Sequence, residues 1–391
     1  MNTMKGGFVM QWLSEETSWL IPEPEMLSGA ALTPESLMQL GAGMAHAAPG
    51  CMIGSSEGGY ARACAMQICS GAAAAGGAAV LLPECTAGEL GTASLHTSCR
   101  VLAYCSENGV SLFSRGLLPL TAGQEQIIRS SSRQWMNRTE FGSITDGSAL
   151  RQFYRNRLKA RLPENMPARI RTETGLMRLK KLLDPLMHGG SGDCLTLQIS
   201  RDGRRASVYS EKYGWFFYEK LLLMVSLVYL EQEDIALPYW LPQIAEHLAE
   251  KNGRQVFRYA SHPDGGDTEA RALAVRQGFT LDGALLCADF LRFHAELRPN
   301  LSRWAKEIPD FCTVRRVLSA DRAAKTATRC AAQMKTVRTP EGIRAKDERG
   351  TALLHPVRSG KTYSLMIEAA NMELAQELAA DLTAFDDSRI E

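Results

Sequence analysis

The chain has 391 residues, of which 45% are hydrophobic and 22% are charged, and its formal net charge is +1. These proportions are typical of a globular protein, with room for roughly two to four domains. A net charge near zero gives no general attraction to nucleic acid or to an anionic membrane, and no apolar run is long enough to cross a bilayer. We therefore expect neither a nucleic-acid nor a membrane partner.

The cysteines and the N-terminus indicate the compartment. The ten cysteines are scattered and none forms a C-x-x-C pair, which argues against a zinc site. A chain of this size does not need disulfide bonds, so we expect reduced and mostly buried thiols. The N-terminus lacks the long apolar core and small-residue cleavage site of a secretory signal. The sequence therefore predicts a cytoplasmic protein.

The first part of the chain, residues 1–149, alternates helices with strands. Thr33 followed by Pro34 predicts a helix start. The predicted helices are 33–44, 60–75 and 86–97, and the predicted strands are 51–53, 78–82 and 99–104. The small side chains of the second helix allow it to lie close to a sheet. This alternation is typical of a layered α/β domain.

Residues 150–230 contain a clear hairpin. Leu195, Leu197 and Ile199 alternate with polar residues, and Asp202-Gly203 is a strong turn pair. The other predicted elements are a helix at 150–162, a strand at 168–174, a helix at 175–187 and an apolar core helix at 215–230. Five basic residues could attract an anionic partner but are more typical of a solvated face: Arg169, Arg171, Arg178, Lys180 and Lys181.

The last two parts, 231–312 and 313–391, continue the mixed pattern. Predicted helices are 241–252, 267–276, 282–296, 301–308, 323–334 and 372–385, and predicted strands are 255–260, 341–346, 351–355 and 362–368. Segment 262–267 groups His262 with Asp264 and Asp267. It could hold a metal ion, but a turn before a helix capped by Asp267 explains it more simply.

Several motifs in this order resemble the α-D-phosphohexomutases, which include phosphoglucomutase, phosphomannomutase and phosphoglucosamine mutase. The segment LTPE at 32–35 opens the first helix as in that family, and NGVSLF at 108–113 is similar to its Asn-Gly-Ile-Lys-hydrophobic-Phe. The resemblance implies four α/β domains around a central cleft: 1–149, 150–230, 231–312 and 313–391. The first three are expected to be α/β sandwiches, and the fourth a sheet with helices.

The resemblance also implies where the reactive groups would lie. Cys105 and Ser106 are nearest the family's phosphorylated serine, although the His-Asn-Pro of that loop is missing. Without the family loop, Asn108-Gly109 is a type I′ hairpin turn. The family's Asp-x-Asp-x-Asp-Arg metal loop aligns with residues 200–205, where Asp202 is the one remaining carboxylate. The family's sugar loop has little room in residues 277–281.

The positions expected to bind phosphate are Arg205, Arg358, Ser359, Lys361 and Thr362. Arg205 aligns with the arginine of the metal loop, and the others with the phosphate loop of the fourth domain. Residues 358–362 also match the end of a P-loop, but that site needs a helix directly afterwards, and a strand is predicted there.

The motifs predict a catalytically degenerate phosphohexomutase-like protein. Its cleft could bind a phosphorylated sugar or a protein partner, and no cofactor is expected. The first alternative is an active phosphosugar mutase that uses Cys105 or Ser106 and a rebuilt Mg²⁺ site. The second is a structural or regulatory scaffold without a small ligand. Loss of several electrostatic contributors favours the degenerate protein, because a single one can be worth about 10²–10³ in rate.

Overall fold

The structure is a computed structural model, and it describes residues 26–27, 32–130, 136–261, 263, 267–356 and 362–384. Within these residues, four β-sheets follow one another along the chain. Each lies in one of the four predicted domains, except that the fourth sheet begins at Cys312, one residue before the predicted boundary. The α/β fold class is confirmed, while the domain boundaries stay a prediction.

The first sheet has six strands in the order β1-β5-β4-β2-β3-β6. The strands are β1 (Met26–Leu27), β2 (Gly50–Ser55), β3 (Ala78–Leu82), β4 (Val101–Ser106), β5 (Gly109–Ser114) and β6 (Ile144–Asp146). The helices are α1 (Pro34–Ala47), α2 (Gly59–Ala74), α3 (Ala87–Ser94) and α4 (Ala122–Ser130). The predicted alternation is confirmed, but β1, β6 and α4 have no counterpart in the sequence-based prediction.

Local signals explain the helix starts and their packing. Thr33 caps α1, as predicted. Thr86 and Glu89 form a capping box at the start of α3, each side chain accepting a hydrogen bond from the other's backbone N–H. A methyl group on Gly41 of α1 would lie 2.0 Å from the carbonyl oxygen of Ile68 in α2. The small residues therefore bring two helices close together, as well as a helix and a sheet.

The second sheet has the order β10-β9-β8-β7. The strands are β7 (Arg169–Thr174), β8 (Cys194–Ile199), β9 (Ala206–Ser210) and β10 (Gly214–Phe216), and the helices are α5 (Arg151–Lys159), α6 (Met177–Leu186) and α7 (Tyr218–Leu230). The predicted hairpin is confirmed, with Gly203 at a φ of +74° in its turn. The helix predicted from Trp215 begins later, because Trp215 pairs with Tyr209 in β10.

The third sheet is a parallel pair of strands, β11 (Ile235–Pro238) and β12 (Val256–Tyr259). The helices are α8 (Ile244–Lys251), α9 (Thr268–Gln277), α10 (Gly283–Glu296) and α11 (Leu301–Glu307). Asp282 caps α10, accepting from Ala284 N at 2.8 Å. The prediction that the Asp267 side chain caps α9 is wrong. Its carboxylate instead accepts a hydrogen bond from Ala260 N at 2.9 Å.

The fourth sheet has five strands in the order β13-β17-β16-β15-β14, all antiparallel to their neighbours. The strands are β13 (Cys312–Ser319), β14 (Lys335–Arg338), β15 (Ile343–Lys346), β16 (Gly350–Pro356) and β17 (Thr362–Ala369), and the helices are α12 (Ala320–Gln333) and α13 (Met372–Thr383). β13 and β14 have no counterpart in the sequence-based prediction.

The hydrophobic cores cross the borders between the sheets. One cluster combines β8 and β9 with α7, α10 and α11, so the second and third parts share a core. Another joins the first sheet to β12 and α9. The fourth sheet packs one face on α12 and α13, while Leu353 and Met366 on the other face contact the shared core.

The cysteines agree with the expectation of mostly buried thiols. All ten cysteines are free, and eight of them are buried. In the part of the chain that the structure describes, no helix has the length and the hydropathy needed to span a membrane.

Candidate functional site

The counterpart of the family's serine loop is a tight hairpin. β4 and β5 pair up to Ser106 and Gly109, so Glu107 and Asn108 form the whole turn. Gly109 has a φ of +136° and Asn108 has a negative φ, so the predicted type I′ turn at Asn108-Gly109 is wrong. Two turn residues do not project a side chain far from the sheet.

The two predicted nucleophiles differ in access. Ser106 is half-buried, and its Oγ donates to the carbonyl of Gly109 at 3.2 Å and accepts from Asn108 N at 3.3 Å. Cys105 is fully buried, and burial raises the pKa of its thiol well above its usual value. A buried thiol with little thiolate character is a poor nucleophile. Ser106 is therefore the better candidate of the two, and the catalytic role of either stays a prediction.

Asp202 is held within the turn between β8 and β9. Its Oδ1 accepts hydrogen bonds from the hydroxyl of Ser200 and, at 3.0 Å, from the backbone of Arg204. Burial opposes ionisation of the carboxyl, but Arg205 and Arg204 outweigh it and lower its pKa. The side chain is nevertheless open to solvent. The hydrogen bonds and arginines of its own turn therefore hold Asp202 in its ionised form.

The side chains around Asp202 do not fit a magnesium ion. Mg²⁺ requires near-octahedral oxygen ligands. Arg204 stands at the position of the family's third carboxylate, and its guanidinium lies 5.5 Å from the ring centre of Phe113 in β5. No group of three or more His, Cys, Asp or Glu side chains within the described residues could hold a metal ion. The chemistry of this loop is cationic.

The loop also connects three parts of the chain. The cation–π contact to Phe113 joins it to the first sheet. The carbonyl of Gly203 accepts a hydrogen bond from Gly283 N at 2.9 Å, which joins it to the start of α10. Burial raises the pKa of Tyr218, and Arg205 opposes this shift, so the phenol at the start of α7 lies near that guanidinium.

A second point of convergence lies at Asp282. The hydroxyl of Tyr154 in α5 donates to its Oδ1 at 3.1 Å. Gly88 of α3 lies so close that an added Cβ would be 2.0 Å from Asp282 Oδ2. Asp282 and Tyr154 are 3% and 1% exposed, so neither side chain has free space. The first three parts of the chain therefore meet here without a gap.

Arg178 joins the first and second parts through an ion pair. Its Nε and Nη2 donate to the two carboxylate oxygens of Glu89 at 2.7 and 2.6 Å. Glu89 is 2% exposed and the Arg178 side chain 29%. The expectation of a solvated basic face is wrong for Arg178, because it neutralises a buried carboxylate, whereas Lys180 and Lys181 are exposed as expected.

We call the face of the fourth sheet that packs on the shared core, through Leu353 and Met366, its inner face. The strand register shows which other residues lie on it. Thr313 lies beside Glu368, and Arg315 beside Met366. Glu368 accepts hydrogen bonds from Gln243 N and Ile244 N at 2.6 and 3.0 Å, so it caps α8 from across the boundary.

Glu219, in the first turn of α7, faces this sheet. The hydroxyl of Thr313 donates to its Oε2 at 3.2 Å. Burial raises the pKa of Glu219 to about 7; Glu368 adds to the shift, while Thr313, Arg315 and Arg205 oppose it. A carboxyl group that titrates near neutrality in a cleft is a common feature of functional sites.

The predicted phosphate residues of the fourth part are mostly outside the described residues. The residues outside the described part of the chain are Arg358, Ser359 and Lys361, and also His262 and Asp264 of the alternative metal site. Thr362 is described and begins β17. Because a strand follows Thr362, the P-loop alternative lacks the helix it needs. Of the predicted phosphate-binding residues, Arg205 and Thr362 are therefore the two that the structure describes.

Solved structures share this architecture at low sequence identity. A phosphoglucomutase/phosphomannomutase family protein from Burkholderia thailandensis matches with a TM-score of 0.68 and 13% identity, over 92% of this chain and 95% of its own. Parafusin, an exocytosis-sensitive phosphoprotein and phosphoglucomutase from Paramecium, matches in its open form with a TM-score of 0.60 and 10% identity, over 95% and 97%. No protein-family model and no curated protein sequence matches the chain. The chain thus has the α-D-phosphohexomutase fold that its motifs predict.

Proposed function

We propose that this protein binds a phosphorylated sugar in its central cleft and does not interconvert it. The observation that carries the proposal is the loop from Ser200 to Arg205. It retains the hairpin of the fold but has Arg204 where the family has its third carboxylate, next to Arg205, which aligns with the family's arginine. A fixed guanidinium supplies positive charge without a metal ion, and it forms paired hydrogen bonds with phosphate oxygens.

Two observations favour the loss of phosphoryl transfer. Transfer needs an oxygen nucleophile in line with the phosphorus and a cation that neutralises the transferring oxygens. Ser106 bonds within its own hairpin, and the single carboxylate of Asp202 bonds within its own turn. Each change alone would strongly reduce the rate of phosphoryl transfer. Together they leave both requirements unmet.

The first experiment is a thermal-shift panel. It contains hexose 1- and 6-phosphates, hexose bisphosphate, amino-sugar phosphates and ATP, each with and without Mg²⁺. A ligand at about 100 times its dissociation constant adds roughly 2.7 kcal/mol to the free energy of unfolding. We expect a shift with phosphorylated sugars that does not depend on Mg²⁺. Glucose without phosphate, at equal concentration, is the matched control.

The other outcomes separate the alternatives. A Mg²⁺-dependent shift, or mutase turnover above that of a Ser106→Ala, Cys105→Ala double variant, would contradict the proposal and favour an active enzyme. A panel without any shift would also contradict it and leave the scaffold function, with a protein partner, as the remaining candidate. The Asp202→Asn variant is expected to bind the same ligands as the wild type.

A further inference from the structure

Arg315 lies on the inner face of the fourth sheet without a partner for much of its guanidinium. Its Nε and Nη2 are buried, and neither has a hydrogen-bond partner among the described residues. No ion pair joins it to a carboxylate in the part of the chain that the structure describes. A buried charged donor without an acceptor is costly in free energy, so such a group usually has a function.

The electrostatic surroundings of Arg315 are poor for a cation. Burial lowers the pKa of its guanidinium to about 10, and the positive charge of Arg205 adds to this, while Glu219 and Glu341 oppose it. Of the two carboxylates, Glu219 has the larger effect on the pKa of Arg315. Burial raises the pKa of Glu219 itself to about 7. At neutral pH the protein therefore supplies little negative charge to the Arg315 guanidinium.

A further donor lies nearby on the same face. Ser364 of β17 pairs with Val317, one side-chain row away from Arg315 and Met366. Its hydroxyl is buried and has no hydrogen-bond partner within the described residues. The hydroxyl of Thr313, on the other side of Arg315, is already bound to Glu219. Unused donors and unbalanced positive charge thus occur together between the second and fourth sheets.

We propose that Arg315, with Arg205 and Ser364, binds the phosphate group of a phosphate monoester at the junction of the second and fourth sheets. The proposal rests on the proposed function and adds to it Arg315, in the middle of β13, which is not among the phosphate contacts expected from the sequence. The dianion would accept hydrogen bonds from Nε and Nη2 of Arg315, which have no partner among the described residues. A proton on Glu219 would remove the repulsion between its carboxylate and the phosphate.

The test compares Arg315→Met with Arg316→Met. Arg316 is the next residue of β13 and is exposed, so its variant removes the same charge from the same strand outside the cleft. Each protein is titrated calorimetrically with glucose 6-phosphate, glucose 1-phosphate, inorganic phosphate and glucose. We expect Arg315→Met to weaken binding of the phosphate monoesters roughly 10- to 100-fold, the effect of losing hydrogen bonds to a charged group. Arg316→Met should leave binding within about twofold of the wild type.

The melting temperature without ligand gives a second readout. Removing an unpaired buried charge should raise it in Arg315→Met, as is common when a binding residue is replaced. A lower melting temperature without ligand would show that Arg315 is structural and would overturn the inference. Arg315→Lys, which keeps the charge but loses the planar fork, should bind with intermediate affinity and serves if the methionine variant does not fold.

The outcomes separate this inference from the proposed function. If the wild type binds the phosphate monoesters and Arg315→Met binds them equally well, the site on β13 is refuted and the proposed function stands. If the wild type binds none of them, both are refuted. If inorganic phosphate binds and the sugar phosphates do not, the site accepts a free anion and the inference for a monoester fails.

Discussion

The contact between Gly88 and Asp282 predicts that one added methyl group destabilises the protein where its first three parts meet. In Gly88→Ala the new Cβ would lie 2.0 Å from Asp282 Oδ2 and 2.6 Å from Tyr154 Oη. Real Cβ atoms do not approach other heavy atoms this closely, so a side chain must move. Both neighbours are nearly fully buried and hydrogen-bonded to each other, so neither can move without breaking that bond.

The size of the effect follows from three contributions. Overpacking a core costs about 1–3 kcal/mol, and a broken buried hydrogen bond costs about 1–3 kcal/mol more. Alanine in place of glycine in a helix returns up to about 1 kcal/mol. We therefore expect Gly88→Ala to lower the free energy of unfolding by about 2–4 kcal/mol.

The chain offers a matched control. Gly123 is the second residue of α4, as Gly88 is of α3, and an added Cβ there meets nothing within 4 Å. Gly123→Ala should leave the free energy of unfolding unchanged or raise it by up to about 1 kcal/mol. Urea denaturation of the two variants and the wild type measures both changes. Equal stability of the two variants would refute the close approach of α3 to Asp282.

Three further predictions concern charges. Arg178→Met should lower the free energy of unfolding by about 2–4 kcal/mol in urea denaturation, because it leaves the Glu89 carboxylate buried without a cation, whereas Lys180→Met should change it by less than about 0.5 kcal/mol. Glu219 has a folded-state pKa near 7, above its ordinary value of 4.5, so its contribution to stability is present below pH 4.5 and is lost as the pH rises to about 7. Denaturation at several pH values should therefore show a decline over this interval that is smaller in Glu219→Gln than in the wild type by about 1–3 kcal/mol, and curves of the same shape would contradict the raised pKa. Removing divalent cations with EDTA should leave the melting temperature unchanged, because the loop around Asp202 does not fit a metal ion, and a drop reversed by Mg²⁺ would show a metal site.

Local signals made much of the fold predictable. The caps at Thr33 and Asp282 marked helix starts, and the alternation around Asp202 marked the hairpin of the second sheet. The motif order was enough to predict four sheets in succession. The strand β13 is not predictable from its sequence, CTVRRVLS. A strand with one buried face normally alternates apolar and polar residues, and the two adjacent arginines interrupt that pattern. Arg315 lies on the inner face of this strand, and Arg316 is exposed.

The site was less predictable because its groups come from distant parts of the chain. The T-x-x-E capping box at Thr86 could have been found from sequence, but the pairing of Glu89 with Arg178 depends on the packing of two parts of the chain. The raised pKa of Glu219 arises from burial against a sheet almost 100 residues later in the chain. Burial and electrostatic surroundings of this kind have no signature in local spacing.

Phosphorus NMR of the protein mixed with glucose 1-phosphate and a small amount of glucose 1,6-bisphosphate tests binding and catalysis together. Binding broadens or shifts the ligand resonance in proportion to protein concentration, and mutase activity produces a new glucose 6-phosphate resonance. The account predicts concentration-dependent broadening and no glucose 6-phosphate above that formed by the Ser106→Ala, Cys105→Ala variant. Steady formation of glucose 6-phosphate, or sharp and unshifted ligand resonances at every protein concentration, would contradict it.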